Sequence, residues 1–318
     1  MRWQPDGDQQ SRLARAALLR ATREFFYIRQ VLEVETPALS QAANTDPYID
    51  SFSTQGSEQR YLHTSPEYPM KRLLAAGSGD IYQICKVWRH EPMSRQHNAE
   101  FSMLEYYRLG FDLKQLMQDV ESLLLGLVPS LLKDSNYQTY ASLFLDKLGF
   151  NPHTISDDDL QRCVSEQVPS FDGSLSRQGA LDLLLTHCIE GDFPQDRLTF
   201  VSDYPATQSA LAQTGPLTEQ PEIMVAKRFE VYVGTLELGN GYQELSSGDA
   251  NRTVLERELA SREALGLDKV PMDQRFLAAM ASGLPECAGV AIGLDRVLML
   301  ATGATELRQI LNFSWDNA

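Results

Sequence analysis

Hydrophobic and polar residues change period several times along the chain, and each change marks an element. Over 11–29 the positions Ala14, Ala17, Leu18, Ala21, Phe25 and Ile28 recur at helical spacing, which predicts an amphipathic helix with one apolar stripe. A short strand at 31–35 follows and stops at Thr36-Pro37. Stretches 48–54 and 60–64 read as strands around the polar turn near Gly56. Ser65-Pro66-Glu67 then opens a helix towards Ala76, with Ser65 as cap and Glu67 in a first turn that favours acids. Lys71 and Arg72 read as solvated charges of that helix.

The stretch 81–110 gives the clearest alternation. One arm, 81–89, is rich in β-branched and aromatic residues, the other, 100–109, alternates, and a polar loop at 90–99 joins them as a long antiparallel hairpin. Side chains on a strand alternate faces, so Phe101, Met103, Glu105 and Tyr107 share one face and Ser102, Leu104, Tyr106 and Arg108 the other. A carboxylate between Phe101 and Tyr107 is out of place on a plain core face, because a buried charge is costly unless paired. With Arg89 and Glu91 at the end of the first arm, the hairpin offers an aromatic plate, a guanidinium fork and acids, a set suited to a nucleotide beside a cationic substrate. An ordinary amphipathic hairpin fits the same spacing, and spacing alone does not separate the two.

Beyond the hairpin, Asp112 and Gln115 form a capping box for a core helix carrying Leu113, Leu116, Met117, Val120, Leu123, Leu124 and Leu127. Three or four more helices are expected over 130–196. Asp157, Asp158 and Asp159 start one of them, where acids suit the helix dipole, a metal cluster being the alternative. Strand and loop return at 199–215, and 229–233 with 235–238 make a hairpin around Gly234. Its second arm runs into Glu237-Leu238-Gly239-Asn240-Gly241-Tyr242-Gln243-Glu244, where glycines suggest a bulge or a close ligand approach. A bulge would let Glu237 and Glu244 face the same way. Glu230 falls beside Glu237, and two neighbouring carboxylates repel unless a cation such as Mg²⁺ lies between them; three unrelated surface acids are the other reading. A charged helix at 251–265 reads as a solvated face, and a shorter helix covers 272–281. The run from Gly289 through Ala291, Gly293 and Asp295 to Arg296 is a glycine-rich strand entering an apolar helix closed by Gly303, with Arg296 in the first helical turn.

Composition narrows the functional classes. By length alone 318 residues suggest about two domains, although one large sheet can exceed that prior. A formal net charge of −15 makes a poor generic binder of nucleic acid, which rewards clustered Lys and Arg. The four cysteines, Cys85, Cys163, Cys188 and Cys287, form no C-x-x-C pair, so neither a zinc site nor a redox pair is indicated. Residues 1–10 lack the apolar core of a secretory signal and no apolar run is long enough to span a bilayer, so a cytoplasmic protein with no membrane partner is expected.

The literal strings add a family. Arg89-His90-Glu91, followed by Arg95-x-His97-Asn98-x-Glu100-Phe101-x-Met103-x-Glu105, resembles motif 2 of the class II aminoacyl-tRNA synthetases, and the lysyl branch most closely; Ala99 stands where that family usually has proline. The string VLEVETPAL at 31–39 resembles motif 1, which in the family builds a dimer interface, and Gly289 onward resembles motif 3. Ser65-Pro66-Glu67 with Lys71-Arg72-Leu73, and FEV with LELGNGYQEL, resemble the site strings of the lysyl branch. The resemblance implies an α/β (α+β) class II catalytic core: a large antiparallel sheet flanked by helices, one domain over 1–318 with a helical insertion around 112–196.

Three features move the resemblance from the synthetases towards their paralogous ligases, which join (R)-β-lysine to elongation factor P. The chain begins at motif 1, so no anticodon-binding domain is expected; Ala291 stands where synthetases have glycine; and Asn312-Phe313-Ser314 replaces their Phe-Pro and basic tail. What the resemblance implies is an ATP-dependent, AMP-forming ligase that activates (R)-β-lysine, or lysine, as the acyl adenylate and transfers it to the ε-amine of a lysine on elongation factor P. It further implies a homodimer without stable tRNA binding. On that resemblance Arg89 holds the α-phosphate and carboxylate; His90, Glu91, Asn98, Glu237, Leu238 and Gly293 surround the nucleotide; Phe101 stacks on adenine; and Arg296 holds the γ-phosphate. Glu230 and Glu237 carry Mg²⁺, while Ser65, Glu67, Glu105, Tyr107, Asn240, Glu244 and Ala291 bind the substrate. Two competitors are a ligase for another small amino acid, of the asparagine synthetase A kind, and an inactive paralogue serving as a regulatory subunit. Such regulatory paralogues usually lose the motif 2 or motif 3 arginine.

Overall fold

In the computed structural model, which describes residues 3–131, 133–171, 173 and 175–318, the chain opens with helix α1, Gln9–Ile28, capped by the Asp8 carboxylate on the Ser11 amide. Its buried face is Leu18, Thr22 and Phe26; of the expected stripe Leu18 is buried and Ala14 and Phe25 pack partly against the core, whereas Ala17, Ala21 and Ile28 point outward. The helix carries two apolar stripes, and the outward one, with Leu13, Tyr27 and Ile28, continues into exposed Leu32. Strand β1 is only Leu32–Glu33, and β2, Leu39–Ser40, pairs with β3, Tyr61–Leu62. The strand expected at 48–54 is absent except for a single bridge at Ser53. The Phe52 carbonyl and Thr54 amide bond to Leu62 and Arg60 on either side of that bridge, while further back the Asn44 and Asp46 side chains accept the amides of Asp46 and Tyr48 and keep the start of the segment irregular.

Helix α2, Glu67–Ala75, precedes the central hairpin of β4, Ile81–Trp88, and β5, Glu100–Leu109. Helix α3, Leu113–Leu127, has the expected capping box. Next come β6, Ser135–Thr139, in a stretch read as wholly helical, and helices α4, Tyr140–Leu148, α5, Asp157–Gln167, and α6, Arg177–Leu184. The three aspartates occupy the first turn of α5. Strands β7, Leu198–Pro205, β8, Thr214–Pro216, β9, Met224–Val233, and β10, Leu236–Gln243, return to the sheet. Helices α7, Gly248–Ala264, and α8, Gln274–Gly283, lead to β11, Cys287–Gly293, and α9, Leu294–Thr302, closed by Gly303 at φ 71°.

One nine-stranded sheet runs β1-β4-β5-β11-β10-β9-β7-β6, with β8 on β9. Its centre is antiparallel as expected, but β1–β4 and β6–β7 at the two ends pair in parallel, so the sheet is mixed. The main core lies between one sheet face and helices α1, α3 and α9, and includes Leu104, Tyr106, Val290 and Ile292. A second core joins α4, α5 and α6 to Val201, Tyr204 and Tyr232 of the sheet. Helix α7, read as solvated, buries Arg262, whose guanidinium donates to the Asp46 carbonyl at 3.0 Å and to Asp50 at 2.9 Å. That contact fastens the irregular 44–50 segment, so the helix holds a loop as well as facing solvent. Among the described residues no helix is long and apolar enough to cross a membrane.

Candidate active site

The sheet face opposite the main core carries its side chains in rows, because register fixes which residues lie side by side. One row crosses Gln83, Glu105, Ala291, Asn240 and Glu230; the next crosses Ile81, Tyr107, Gly289, Tyr242 and Arg228. The ladder between β9 and β10 shifts register between Glu237 and Gly239, the bulge that the glycines suggested. A cavity of about 390 Å³ opens over these rows, and both Glu237 and Glu244 line it. So do Ser65, Glu67, Arg89, Glu91, Asn98, Phe101, Glu105, Tyr107, Leu238, Asn240, Ala291, Gly293 and Arg296. All four residues expected on one face of β5, Phe101, Met103, Glu105 and Tyr107, point into it.

At one end acids converge. Glu105 is buried and accepts from Ser65 Oγ at 2.6 Å and Tyr107 Oη at 2.7 Å. Burial pushes its carboxyl up to about 8, and Glu67 adds to the rise against those hydrogen bonds. Ser65 Oγ also accepts the Glu67 amide at 3.0 Å, so one hydroxyl touches both acids; the N-cap of α2 is Pro66 and not the expected Ser65. Lys71, read as solvated, is fully buried: its Nζ lies 2.6 Å from Glu67 and 2.5 Å from Glu244. Burial alone would lower the Lys71 ammonium, but the two carboxylates outweigh it and keep the lysine charged. Glu244 is raised by its own burial and held back by Lys71. Beside these, Asn240 donates to Tyr242 Oη at 3.1 Å, while its Oδ1 is buried with no partner among the described residues, leaving an acceptor for a ligand. Gly289 lets the acids close up: a Cβ there would come 2.4 Å from the Tyr107 ring and 2.6 Å from Glu244.

At the other end two arginines face an aromatic ring. The Arg89 guanidinium carbon lies 5.3 Å from the Phe101 centroid, and its Nε donates to the Thr64 carbonyl at 3.4 Å. Arg296, placed by the start of α9 at Gly293, donates to the Glu237 carbonyl at 2.7 Å and contacts His97 Nε2 at 3.1 Å. Burial and the neighbouring Arg296 hold the His97 imidazole below its usual range, which suits it as an acceptor.

Three expected ligands stand differently. His90 is exposed, outside the cavity lining, and packs edge-on against Phe52. Asn98 lines the cavity, but its amide already donates to the Glu100 carbonyl and accepts the Trp315 amide, tying the hairpin loop to the C-terminal segment. Glu230 stands next to Asn240 in the same row but beyond the cavity lining, its carboxylate held by Tyr204, Tyr232 and Arg228. Glu237 alone of the presumed Mg²⁺ pair reaches the cavity, its carboxyl pushed up by burial and by Glu230. Among the described residues no group of three or more His, Cys, Asp or Glu could hold a metal ion by itself. One carboxylate beside a polyphosphate fits an ion that arrives with its nucleotide. Lys71, Tyr242 and His97 were given no role by sequence reasoning, although each stands in a string that resembles the family's motifs; the Glu67–Lys71 spacing of four was a further signal, and it fits a surface pair equally well.

The family profile described as tRNA synthetases class II (D, K and N) matches residues 6–317. Curated relatives named elongation factor P–(R)-β-lysine ligase are similar along their whole length. That of Pectobacterium atrosepticum is 40% identical over 99% of this chain and 98% of its own. Those of Klebsiella pneumoniae and Avibacterium paragallinarum are 41% and 39% identical with the same coverage.

The Glu105 environment makes stability depend on pH with a definite sign. Between its ordinary value of 4.5 and about 8 the folded protein holds a proton that the unfolded chain has released, so this group's contribution falls as pH rises. Glu105→Gln has no such proton. Denaturant titrations of both proteins without ligands from pH 5 to 8 should show the wild type losing ground steadily to the variant; a difference that stays flat would mean that Glu105 is already ionised at pH 5.

Proposed function

The chain belongs to the class II tRNA synthetase family of the D, K and N group, and on that premise we propose that it is an ATP-dependent ligase that activates (R)-β-lysine as an acyl adenylate and passes it to the ε-amine of a lysine on elongation factor P. The observation that carries this reading is the polarity of the cavity: Glu67, Glu105, Glu244 and the open Asn240 carbonyl at one end, Arg89, Phe101 and Arg296 at the other. Ammonium groups suit the first end, and a purine with phosphates suits the second. The substrate carboxylate attacks the α-phosphorus, the bond to the bridging oxygen breaks, and pyrophosphate leaves. An in-line displacement on a polyanion depends on positioning and on charge stabilisation. Arg89 neutralises the α-phosphate, Phe101 stacks on the base, Glu91, Leu238 and Gly293 border the nucleotide, and Arg296 takes the γ-phosphate. Glu237 would hold Mg²⁺, which supplies further neutralisation of the phosphates when bound. Amine attack on the adenylate carbonyl then forms the amide, and AMP and a proton leave.

The helices around 112–196 are read as an insertion in a single catalytic domain. The outward stripe of α1 fits a second copy of the chain in a homodimer, and the acidic surface fits a cytoplasmic protein substrate better than tRNA. Retention of both Arg89 and Arg296 in the cavity argues against an inactive regulatory paralogue, and the full set of acids argues against a substrate of the asparagine kind.

Pyrophosphate exchange tests the reading. Wild-type protein should exchange in the presence of (R)-β-lysine, and Arg296→Ala should lose about 30- to 1000-fold, the loss of a charge-assisted transition-state contact of roughly 2–4 kcal/mol. Near-normal exchange in the folded variant would show that Arg296 is structural.

Ala291 lies in register between Glu105 and Asn240, beneath the amino-acid end. Its methyl takes the room an α-amino group would need, whereas an amino group one carbon along can avoid it. One methyl in a pocket discriminates by about 10- to 200-fold. Wild-type protein should therefore prefer (R)-β-lysine to α-lysine, and Ala291→Gly should shift the ratio towards α-lysine. A ratio that does not move would pass the selection to Glu67, Asn240 or Glu244.

A further inference from the structure

Lys71 is an ammonium group buried behind the floor of a pocket read as an ammonium receptor. It is wholly buried on α2, between Met70 and Leu74 in the fold's third apolar cluster, and it reaches two of the three acids at the amino-acid end. Those two come from distant parts of the chain, Glu67 from the start of the same helix and Glu244 from just beyond β10. Without a common cation they would repel each other across the pocket floor and settle in other rotamers. With it, each offers the cavity a carboxylate whose position is fixed from behind.

We propose that Lys71 is a positioning residue that fixes Glu67 and Glu244 in place, so that a substrate with two ammonium groups meets both carboxylates already set and is bound in preference to one with a single ammonium. The inference rests on the reading of this end as the amino-acid site. It assigns Lys71 no contact with ATP and no part in the displacement. Its removal should therefore change the apparent affinity for the amino acid and leave that for ATP alone.

The test compares wild type, Lys71→Met, Glu244→Gln and the double variant by pyrophosphate exchange, with melting curves for each. The substrates are (R)-β-lysine and its analogue with a hydroxyl in place of the ε-ammonium. Lys71→Met should raise KM for (R)-β-lysine about 10- to 100-fold, as expected when charge-assisted contacts lose their geometry, and should narrow the preference over the hydroxyl analogue. KM for ATP should stay within about twofold of wild type, since no contact of Lys71 reaches the nucleotide end. A folded Lys71→Met protein with unchanged KM and unchanged preference would overturn the proposal and reduce Lys71 to a buried ion pair that only stabilises. Removing Lys71 alone leaves Glu244 buried and unpaired, a change that can unfold a protein. In that event the comparison moves to the double variant against Glu244→Gln, where the two charges leave together. A further rise in KM supports the proposal, and equal KM values overturn it. Wild-type protein that shows no exchange with (R)-β-lysine would sink the proposed function itself, an outcome distinct from any of these.

Discussion

A carboxylate taken out of water must find a partner, and the working face of this sheet takes in several. Each is answered differently. Glu105 is met by two hydroxyls and burial raises it to about 8. Glu244 is met by Lys71, and Glu230 by an arginine and two tyrosines. Glu237 shares the mouth of the cavity with Arg296. The cost of leaving the buried pair, Glu105 and Glu244, alone is several kcal/mol in the interior, so their partners are as much a part of the site as the acids. This constraint explains why hydroxyls, a lysine and arginines from α2, β5, β9 and α9 all converge on one patch of sheet.

Backbone register makes the convergence possible. Because β5, β11 and β10 are antiparallel neighbours, Glu105, Ala291 and Asn240 stand side by side, and Tyr107, Gly289 and Tyr242 form the next row. A full row of side chains would fill the cavity, so the middle strand is nearly bare. Gly289 and Gly293 contribute hydrogens, and Ala291 contributes the single methyl between them. The same strand ends at Gly293, where α9 begins, so that Arg296 rises from the floor at the phosphate end. A change of one residue in register would send Glu105 into the apolar core and Leu104 into the cavity.

Much of this was legible in the sequence, and the failures share a cause. The alternation of β5 placed Phe101, Glu105 and Tyr107 together because period two is a local property. The bulge before Gly239 and the place of Arg296 followed from glycines and helix starts, which are also local. Lys71 was misread because a lysine four residues after a glutamate looks the same on a surface as in a core. What decides between them is Glu244, which the fold brings in from another element. Arg262 was misread for the same reason, since its partners Asp46 and Asp50 belong to a loop far back in the chain. Glu230 was placed correctly beside the Glu237 strand, but Tyr204 and Arg228, which hold it beyond the cavity lining, were not weighed. The supposed strand at 48–54 failed at its start because side-chain caps at Asn44 and Asp46 outweighed β propensity.

The helices α4, α5 and α6, mute in the sequence, have a structural consequence at the cavity. Asp182 on α6 accepts from Gln208 Nε2 at 2.8 Å, and the Gln208 carbonyl accepts from Arg228 at 3.0 Å. Arg228 in turn pairs with Glu230 and lies over the rings of Tyr204 and Tyr242. Tyr242 holds the Asn240 amide, and that bond turns the Asn240 carbonyl oxygen into the role of free acceptor. These helices thus brace Arg228 through Gln208, and Arg228 lies over the ring of Tyr242, which meets the Asn240 amide. A cluster of helices packed on the far strands of the sheet is in this way tied by an unbroken run of polar contacts to the acid-rich end of the cavity.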